Sequence, residues 1–294
     1  MKKNLIKIYD SINYKAYSSY LKRNNIDQSK LLILGTIPRS GTHLIKFLFS
    51  NYINLLTHGL DSKAIRPDEM NSFFPNNYQF SYLNLKARPF GKVFVNKIKK
   101  PTKMIRSIEL DDFTRSHAFF QEKYWKNSPV LHSYRNPLDY SVSMFHYMFK
   151  NRDSELSIEN PMDVFHKYNE YYIEMYSSYL KASKSAKFKL LRMPYEQLIK
   201  ETEISFSIIL HWLGLEPNEN YVAEACIRSS IKKVSTLEQK SLGTINPDAA
   251  LKHGSFIKNG STGQWKEYFN SYDLSIIEDK LNQNNISLED FDIN

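Results

Sequence analysis

LLILGTIPRSGTHLIKFLFSNYINLL, Leu31 to Leu56, decides how this chain is read. Leu31–Leu34 is a short apolar run, long enough for a buried strand. Gly35–Thr42 (GTIPRSGT) is a turn-rich loop with two glycines, a proline and three hydroxyl side chains. From Thr42 onward, Leu44, Ile45, Leu48, Phe49, Tyr52 and Ile53 recur at helical spacing. Strand, small-residue loop and helix start together suit an anion. The first backbone N–H groups of a helix lack intrahelical partners, and the macrodipole makes that end positive. Ser40 and Thr42 can cap the helix or bond a phosphate oxygen, and Arg39 adds a fixed charge with a planar donor fork. A Walker A loop needs four residues between its glycines and then Lys-Ser/Thr. Here five residues separate Gly35 from Gly41, and Thr-His follows.

The rest of the composition narrows the class. A chain of 294 residues with 41% hydrophobic content suffices for one large α/β core. No stretch approaches the ~20 apolar residues of a membrane span, and the start, MKKNLIKIYDSINYK, has no continuous apolar run of a signal peptide. Cys226 is the only cysteine, which rules out an intrachain disulfide and a Cys-based metal cluster. A cytoplasmic protein is the simplest account. The net charge of +9 comes from scattered Lys and Arg, with no block longer than Lys99–Lys100 or Lys232–Lys233. That pattern disfavours nucleic acid and suits an enzyme that holds a multiply anionic nucleotide.

Residues 1–30 read as a polar, Tyr-rich lead-in with a weak helical pattern, and residues 31–294 as the domain proper. Residues 57–90 lose periodicity and gather aromatics. They form either a surface segment packed by its own rings or a wall of a substrate pocket. Lys92–Ile98 alternates like a strand. Pro129–Tyr134 reads as a second buried parallel strand, followed by Arg135-Asn-Pro-Leu-Asp and a helix to about Lys150. There Asn136 suits the cap, Pro137 the first turn, and Asp139 the positive end of the dipole. Helix initiation leaves Arg135 unexplained, because it sits at a strand's C-terminal end, where α/β sheets bind ligands. Residues 162–183 predict a helix with a tyrosine-lined packing face. Lys187–Met193 is a third strand, and a helix follows to about Leu213, closed by Gly214. The tail reads as one amphipathic helix. The fold expected is a single α/β domain with a central, mostly parallel sheet, helices on both faces, and strand–loop–helix units at 31–56, 130–150 and 187–213.

Several of these segments resemble one family. Pro38-Arg39-Ser40-Gly41-Thr42 resembles the 5′-phosphosulfate loop of sulfotransferases that use 3′-phosphoadenosine 5′-phosphosulfate (PAPS). Arg115-Ser116-His117 is similar to that family's Lys-Thr/Ser-His, with Arg in place of Lys. Arg135-Asn-Pro with Ser143 eight residues on resembles its 3′-phosphate segment. Tyr195-Glu196 follows a strand as the family's adenine-side Tyr does, and Ser229-Ser230-Ile231 corresponds loosely to another adenine-side segment. Gly254–Phe269 keeps Phe256, Gly260, Gly263, Trp265 and Lys266 of the closing loop. Lys258 replaces Arg and Asn259 replaces Lys there, one positive charge fewer toward the 3′-phosphate. The family's dimer segment is not recognisable in Glu267–Ser275, so a monomer or a dimer through another surface is expected.

The resemblance implies transfer of a sulfuryl group from PAPS to a hydroxyl, with an amine less favoured, on a small-molecule acceptor such as a natural product. The product nucleotide would be adenosine 3′,5′-bisphosphate (PAP). It implies that Arg39 with Ser40, Gly41, Thr42 and His43 holds the 5′-phosphate. Arg115 would neutralise the sulfonate, and His117 would take the acceptor proton. It further implies that Arg135, Ser143, Lys258, Asn259 and Gly260 hold the 3′-phosphate side, with Tyr195 and Ser229 near the adenine. His117, Arg39, Arg115 and Ser143 form the implied catalytic set. His43 and His132 are rival bases, although His132 lies within an apolar strand. No cluster with metal-ligand spacing accompanies these residues, so no metal is expected. A P-loop kinase using ATP and magnesium, or a non-enzymatic basic binding protein, would be the alternatives. The acceptor pocket is expected from residues 57–90 and 235–255.

Overall fold

A computed structural model describes residues 14–15, 17–70, 79–81, 92–94, 103–149, 158–240 and 260–291. The apolar run at its centre is strand β1 (Leu31–Thr36), buried at every position. That burial on both faces marks an inner strand of a parallel sheet. β2 (Gln79–Ser81), β3 (Lys92–Phe94), β4 (Asp112–His117), β5 (Val130–Tyr134) and β6 (Leu190–Pro194) complete the sheet in the order β3-β2-β4-β1-β5-β6. All neighbours pair in parallel except β2 with β3, which pair antiparallel. β1 thus has β4 on one side and β5 on the other, and the sheet's connections diverge there. Ligands of open α/β sheets bind beyond the strand ends at such a divergence.

Helices cover both faces. Alternate residues Leu32, Leu34, Leu131 and Met193 pack with α1 (Thr42–His58), and with helices that follow β6. The other set, Leu31, Ile33, Val130 and Tyr134, packs with a tyrosine-rich helix and the C-terminal elements. In chain order these helices are α2 (Pro137–Met144), α3 (Pro161–Ser183), α4 (Tyr195–Lys200), α5 (Thr202–Leu213), α6 (Glu219–Ser229), α7 (Ile231–Lys240) and α8 (Ser271–Asn282). The expected single α/β domain with a mostly parallel sheet and a P-loop-like strand–loop–helix is the one found.

Three details differ from the expectations. The helix expected to reach Lys150 is α2 plus a π-helical turn, Phe145–Phe149. The one expected to run to Leu213 is two helices broken at Glu201, and Gly214 does close the second in the left-handed region. The lead-in is less peripheral than its polarity implies. Tyr17 and Tyr20 are buried in the core, and the Tyr20 hydroxyl bonds the Asp112 carboxylate at the foot of β4.

The tyrosines of α3 do pack, and the hydroxyls of Tyr171, Tyr172 and Tyr179 each find a carbonyl. Those carbonyls sit at strand ends. Tyr171 donates to His117 O at 2.7 Å, Tyr172 to Arg135 O at 2.6 Å and Tyr179 to Ala118 O at 3.1 Å. The ring of Tyr179 also explains Gly35: a Cβ there would lie 2.2 Å from its hydroxyl oxygen.

Candidate active site

The loop after β1 is built to leave donors unused. Gly41 caps α1 at φ 85°, in the left-handed region, and no described side chain caps the helix. A Cβ at Gly41 would meet the Tyr195 ring at 2.8 Å, so both space and backbone select glycine. Arg39 also holds a positive φ of 67°, which is uncommon for a residue with a Cβ and marks a site where structure overrides local preference. The hydroxyl of Ser40 is buried with no hydrogen-bond partner. Thr42 is engaged instead: its hydroxyl lies 2.8 Å from that of Thr36, the last residue of β1. The Ser133 hydroxyl donates to Ser40 O and fixes the loop to β5.

Thr36 ties the same loop to β4. His117 Nδ1 lies 2.7 Å from Thr36 O and 3.1 Å from its hydroxyl. A carbonyl only accepts, so Nδ1 carries the proton and Nε2 keeps its lone pair. Burial, and then Arg115, push His117 down to about 4 against the opposing pull of the Thr36 bond. The imidazole is therefore neutral near pH 7, in the tautomer that accepts a proton at Nε2.

Around this pair the charge is positive and dry. Burial lowers Arg39, Arg115 and His43 from their ordinary values. Lys46, one turn into α1 and 1% exposed, is pushed down to about 7 by burial and by Arg115. His43 feels Lys46, Arg115, Arg39 and His117. Buried like charges raise one another's cost, and a bound anion relieves it. Arg39 is braced from α2 and its π turn: Nε donates to Ser143 Oγ at 3.1 Å, and the guanidinium sits 4.5 Å over the Tyr147 ring.

Arg135 follows β5 and is 3% exposed. One terminal nitrogen donates to Ser261 O at 2.7 Å and lies 3.5 Å from Asp139. Its Nε, 4.0 Å from Glu196, has no hydrogen-bond partner. The Tyr195 ring packs 4.6 Å from the guanidinium, and the Tyr195 hydroxyl donates to Gly260 O at 2.9 Å. Asp139 goes beyond its expected place in the first turn. Its two oxygens accept from Gly263 N at 2.7 Å and Trp265 N at 3.1 Å, which fastens the closing segment to α2. Asn136 caps α2 as expected, accepting from Asp139 N at 2.7 Å, and also donates to Glu196. Among the described residues no His/Cys/Asp/Glu group could hold a metal.

The family model for the sulfotransferase domain matches residues 29–286. The chain belongs to the sulfotransferase domain family. The fold agrees with solved structures at low sequence identity. Mouse sulfotransferase SULT7A1, complexed with PAP, superposes with a TM-score of 0.60 at 16% identity, covering 90% of each chain. Retinol dehydratase in a complex with retinol and PAP gives 0.57 at 16% identity over 90% of this chain and 85% of that one. The same enzyme with androsterone and inactive cofactor PAP gives 0.58 at 16% identity, covering 90% and 84%. No curated sequence matches this one. No helix among the described residues is long and apolar enough to cross a membrane. Family membership sets aside the kinase and non-enzymatic alternatives.

Within this sulfotransferase fold, Arg39, Ser40, Gly41, Thr42, His43, Arg115, His117, Arg135, Ser143 and Tyr195 come from β1, β4, β5, β6 and the helices that start there. The Ser229 hydroxyl accepts from Asn51 Nδ2 at 3.0 Å, and Ile231, two residues on, lies against Gly260 near the Tyr195 hydroxyl. His132 is a packed core residue, fully buried, stacked 3.8 Å from Tyr179 and held at Nδ1 by Gly35 O. Lys258 and Asn259, and the proposed pocket segment 241–255, lie outside the described residues, as does most of 71–91. Thr36, Lys46 and the loop-holding role of Asp139 were not anticipated. Lys46 left a trace in the sequence, as a lysine on the apolar side of a helix with Ile45 and Phe49 beside it.

Proposed function

We propose that this protein transfers a sulfuryl group from PAPS to a hydroxyl of a small-molecule acceptor, with His117 as general base. The observation that carries the reading is Thr36, which bonds both Thr42 at the head of α1 and His117 on β4. One residue thereby couples an anion-binding helix start to an imidazole whose free lone pair is already selected.

The residues present fit the nucleotide. The buried, unpartnered Ser40 Oγ, Arg115 Nε and Arg135 Nε are donors awaiting acceptors, and the start of α1 carries uncapped N–H groups. Arg39 and the N–H groups at Gly41–His43 would hold the 5′-phosphate. Arg135 would hold the 3′-phosphate, with Lys258 and Gly260 covering it, and Ser143 would brace Arg39. Tyr195, between Gly41 and Gly260, would line the adenine side. When bound, PAPS supplies an activated sulfuryl group on a mixed anhydride. Arg115 would neutralise charge on the sulfuryl oxygens, and Arg39 charge on the leaving phosphate side. His117 accepts the acceptor's hydroxyl proton at Nε2, while the Thr36 carbonyl at Nδ1 stabilises the imidazolium that results. Positioning and charge compensation suffice for a group already activated, as in phosphoryl transfer. The neighbours' alcohol ligands, retinol and androsterone, support a hydroxyl acceptor.

The test is incubation with PAPS and a panel of alcohols, phenols and amines, read by mass for a gain of one sulfuryl group and by release of PAP. Retention on immobilised PAP against ATP accompanies it. Sulfated product and PAP-selective retention are expected with chelator present. Selective retention on ATP, or turnover that chelator abolishes and magnesium restores, would overturn the reading.

A further inference from the structure

The hydroxyls of Thr36 and Thr42 stand between the loop that would hold the 5′-phosphate and the candidate base. Thr36 ends β1 fully buried, and Thr42 opens α1 at 6% exposure. Their oxygens lie 2.8 Å apart, and either could donate. His117 decides the direction. Its Nδ1 proton points to Thr36 O at 2.7 Å, with the Thr36 hydroxyl 3.1 Å away. That hydroxyl cannot donate to a protonated nitrogen, so it accepts there. Its own proton is buried and needs an acceptor, and the acceptor in reach among the described residues is the Thr42 oxygen. Thr42 then accepts from Thr36. Its own proton is left for the loop, at the head of a helix that no described side chain caps.

Every donor in this chain runs the same way, from His117 to Thr36, from Thr36 to Thr42, and from Thr42 toward the anion-binding loop. Hydrogen bonds in such a chain polarise one another, and a negative charge at its end makes each oxygen a better acceptor. The groups around the ring supply no such charge. Arg115 precedes it on β4, His43 interacts with it from α1, Ser81 lies beside it on β2, and the Tyr171 hydroxyl of α3 bonds its carbonyl. None of these is an anion, and burial together with Arg115 weakens the ring as a base.

We infer that Thr36 and Thr42 form a relay that ties the strength of His117 as a base to the 5′-phosphate of the bound nucleotide. This inference rests on the PAPS reading above. With the Thr42 proton directed at the phosphate, the Thr36 oxygen turns more negative charge toward Nδ1–H and favours the imidazolium. No proton travels along the relay: the acceptor's hydroxyl proton goes to Nε2, and Nδ1 keeps its own. Thr36 is thus a positioning residue that makes the base weak without nucleotide and stronger with it.

The experiment uses the full chain. PAP affinity is measured first by calorimetry, and absence of binding counts against the PAPS reading itself. Protonation of His117 is then followed by NMR of ring-labelled histidine, with His117→Asn identifying its signals among the eight histidines. PAP should raise the pH at which His117 is half-protonated by about 1 or more. Adenosine 3′-phosphate, which lacks the 5′-group, should raise it far less. Thr36→Val removes the hydroxyl and keeps the carbonyl. The charge of the phosphate acts through space in both proteins, so their difference isolates the relay. Thr36→Val should lose about half or more of the rise while PAP affinity stays within about twofold, and Thr36→Ser should restore it. Thr36→Ala serves the same purpose should the Val variant fail to fold. An equal rise in wild type and Thr36→Val, an equal rise with both nucleotides, or no rise with PAP bound would each overturn the inference. If PAP does not bind, inorganic phosphate puts wild type and Thr36→Val to the same comparison.

Discussion

Arg135 and the Arg39–Lys46–Arg115 group are both buried basic features at the mouth of the same sheet, but they are held in opposite ways. Arg135 already faces protein acceptors: Asp139, Glu196 and the carbonyl of Ser261. Its charge is partly spent on structure, because those same carboxylates organise α2 and the closing segment. In the other group, burial opposes the charge of each member, and Arg115 adds repulsion at Lys46. A compensated cation organises a site before any ligand arrives. Cations whose charge is opposed by burial gain from an anion brought beside them. The first arrangement suits recognition of a fixed nucleotide. The second suits the place where charge moves.

The comparison breaks most visibly at His117. Replacement by Ala should lower kcat by about 10²-fold or more, the usual range for a lost general base, while PAP affinity changes little. His132→Asn and His43→Asn should leave far more turnover. Near-normal kcat in His117→Ala with a collapse in His43→Ala would move the base to α1, although sulfuryl transfer would stand.

Arg135→Met probes the compensated side. It should weaken PAP binding by roughly tenfold or more, since a lost charged contact costs about 1.5–3 kcal/mol, and leave binding of adenosine 5′-phosphate nearly unchanged. It should also lower the ligand-free unfolding midpoint, because Asp139 stays buried without its partner. Arg115→Met should do the reverse, leaving the ligand-free midpoint equal or higher and slowing turnover. Equal thermal losses in the two variants would erase the contrast drawn above.

A smaller effect is expected for Asp139→Asn. Size and cap are kept, but the N–H groups of Gly263 and Trp265 lose a carboxylate. KM for PAPS should rise several-fold with kcat reduced less. A fall in kcat at constant KM would mean that Asp139 does not act through the closing segment.

The smallest effects are those of pH. His117 is held at about 4, so it stays unprotonated below the ordinary imidazole value of ~6.5. The acid limb of kcat/KM for the acceptor should therefore fall below pH 6.5. For stability, the unfolded chain binds more protons than the folded one once the pH drops under ~6.5. His117, with His43 and His132 shifted the same way, contributes stability above that pH and loses it as pH falls toward 4. Unfolding midpoints at pH 7.5 and 5.5 check the sign, and a higher midpoint at 5.5 would contradict it.

Much of this was legible in the sequence where apolar pattern and turn chemistry coincide. β1, its loop and α1 read directly, as did β5 with its Asn-Pro cap and the packing face of α3. β4 did not read as a strand. Only Phe113 among its six residues is apolar, because Arg115 and His117 face the site and Asp112 meets the lead-in. The pattern that reveals a strand was displaced by the residues that give it a task. Lys46 escaped because a lysine in an apolar helix usually carries its ammonium out to water, and only the packing around α1 shows that this one does not. Asp139 was explained fully by helix initiation, and its bonds to Gly263 and Trp265 span a separation that no local pattern reports.

The three phenols of α3 reach the carbonyls of His117, Ala118 and Arg135 from the face of the sheet opposite α1. The spacing between His117, the proposed base, and Arg135, the proposed nucleotide arginine, is thus held by a helix on the face of the sheet opposite α1. Substitutions on the α1 face of the sheet should then leave that spacing in place.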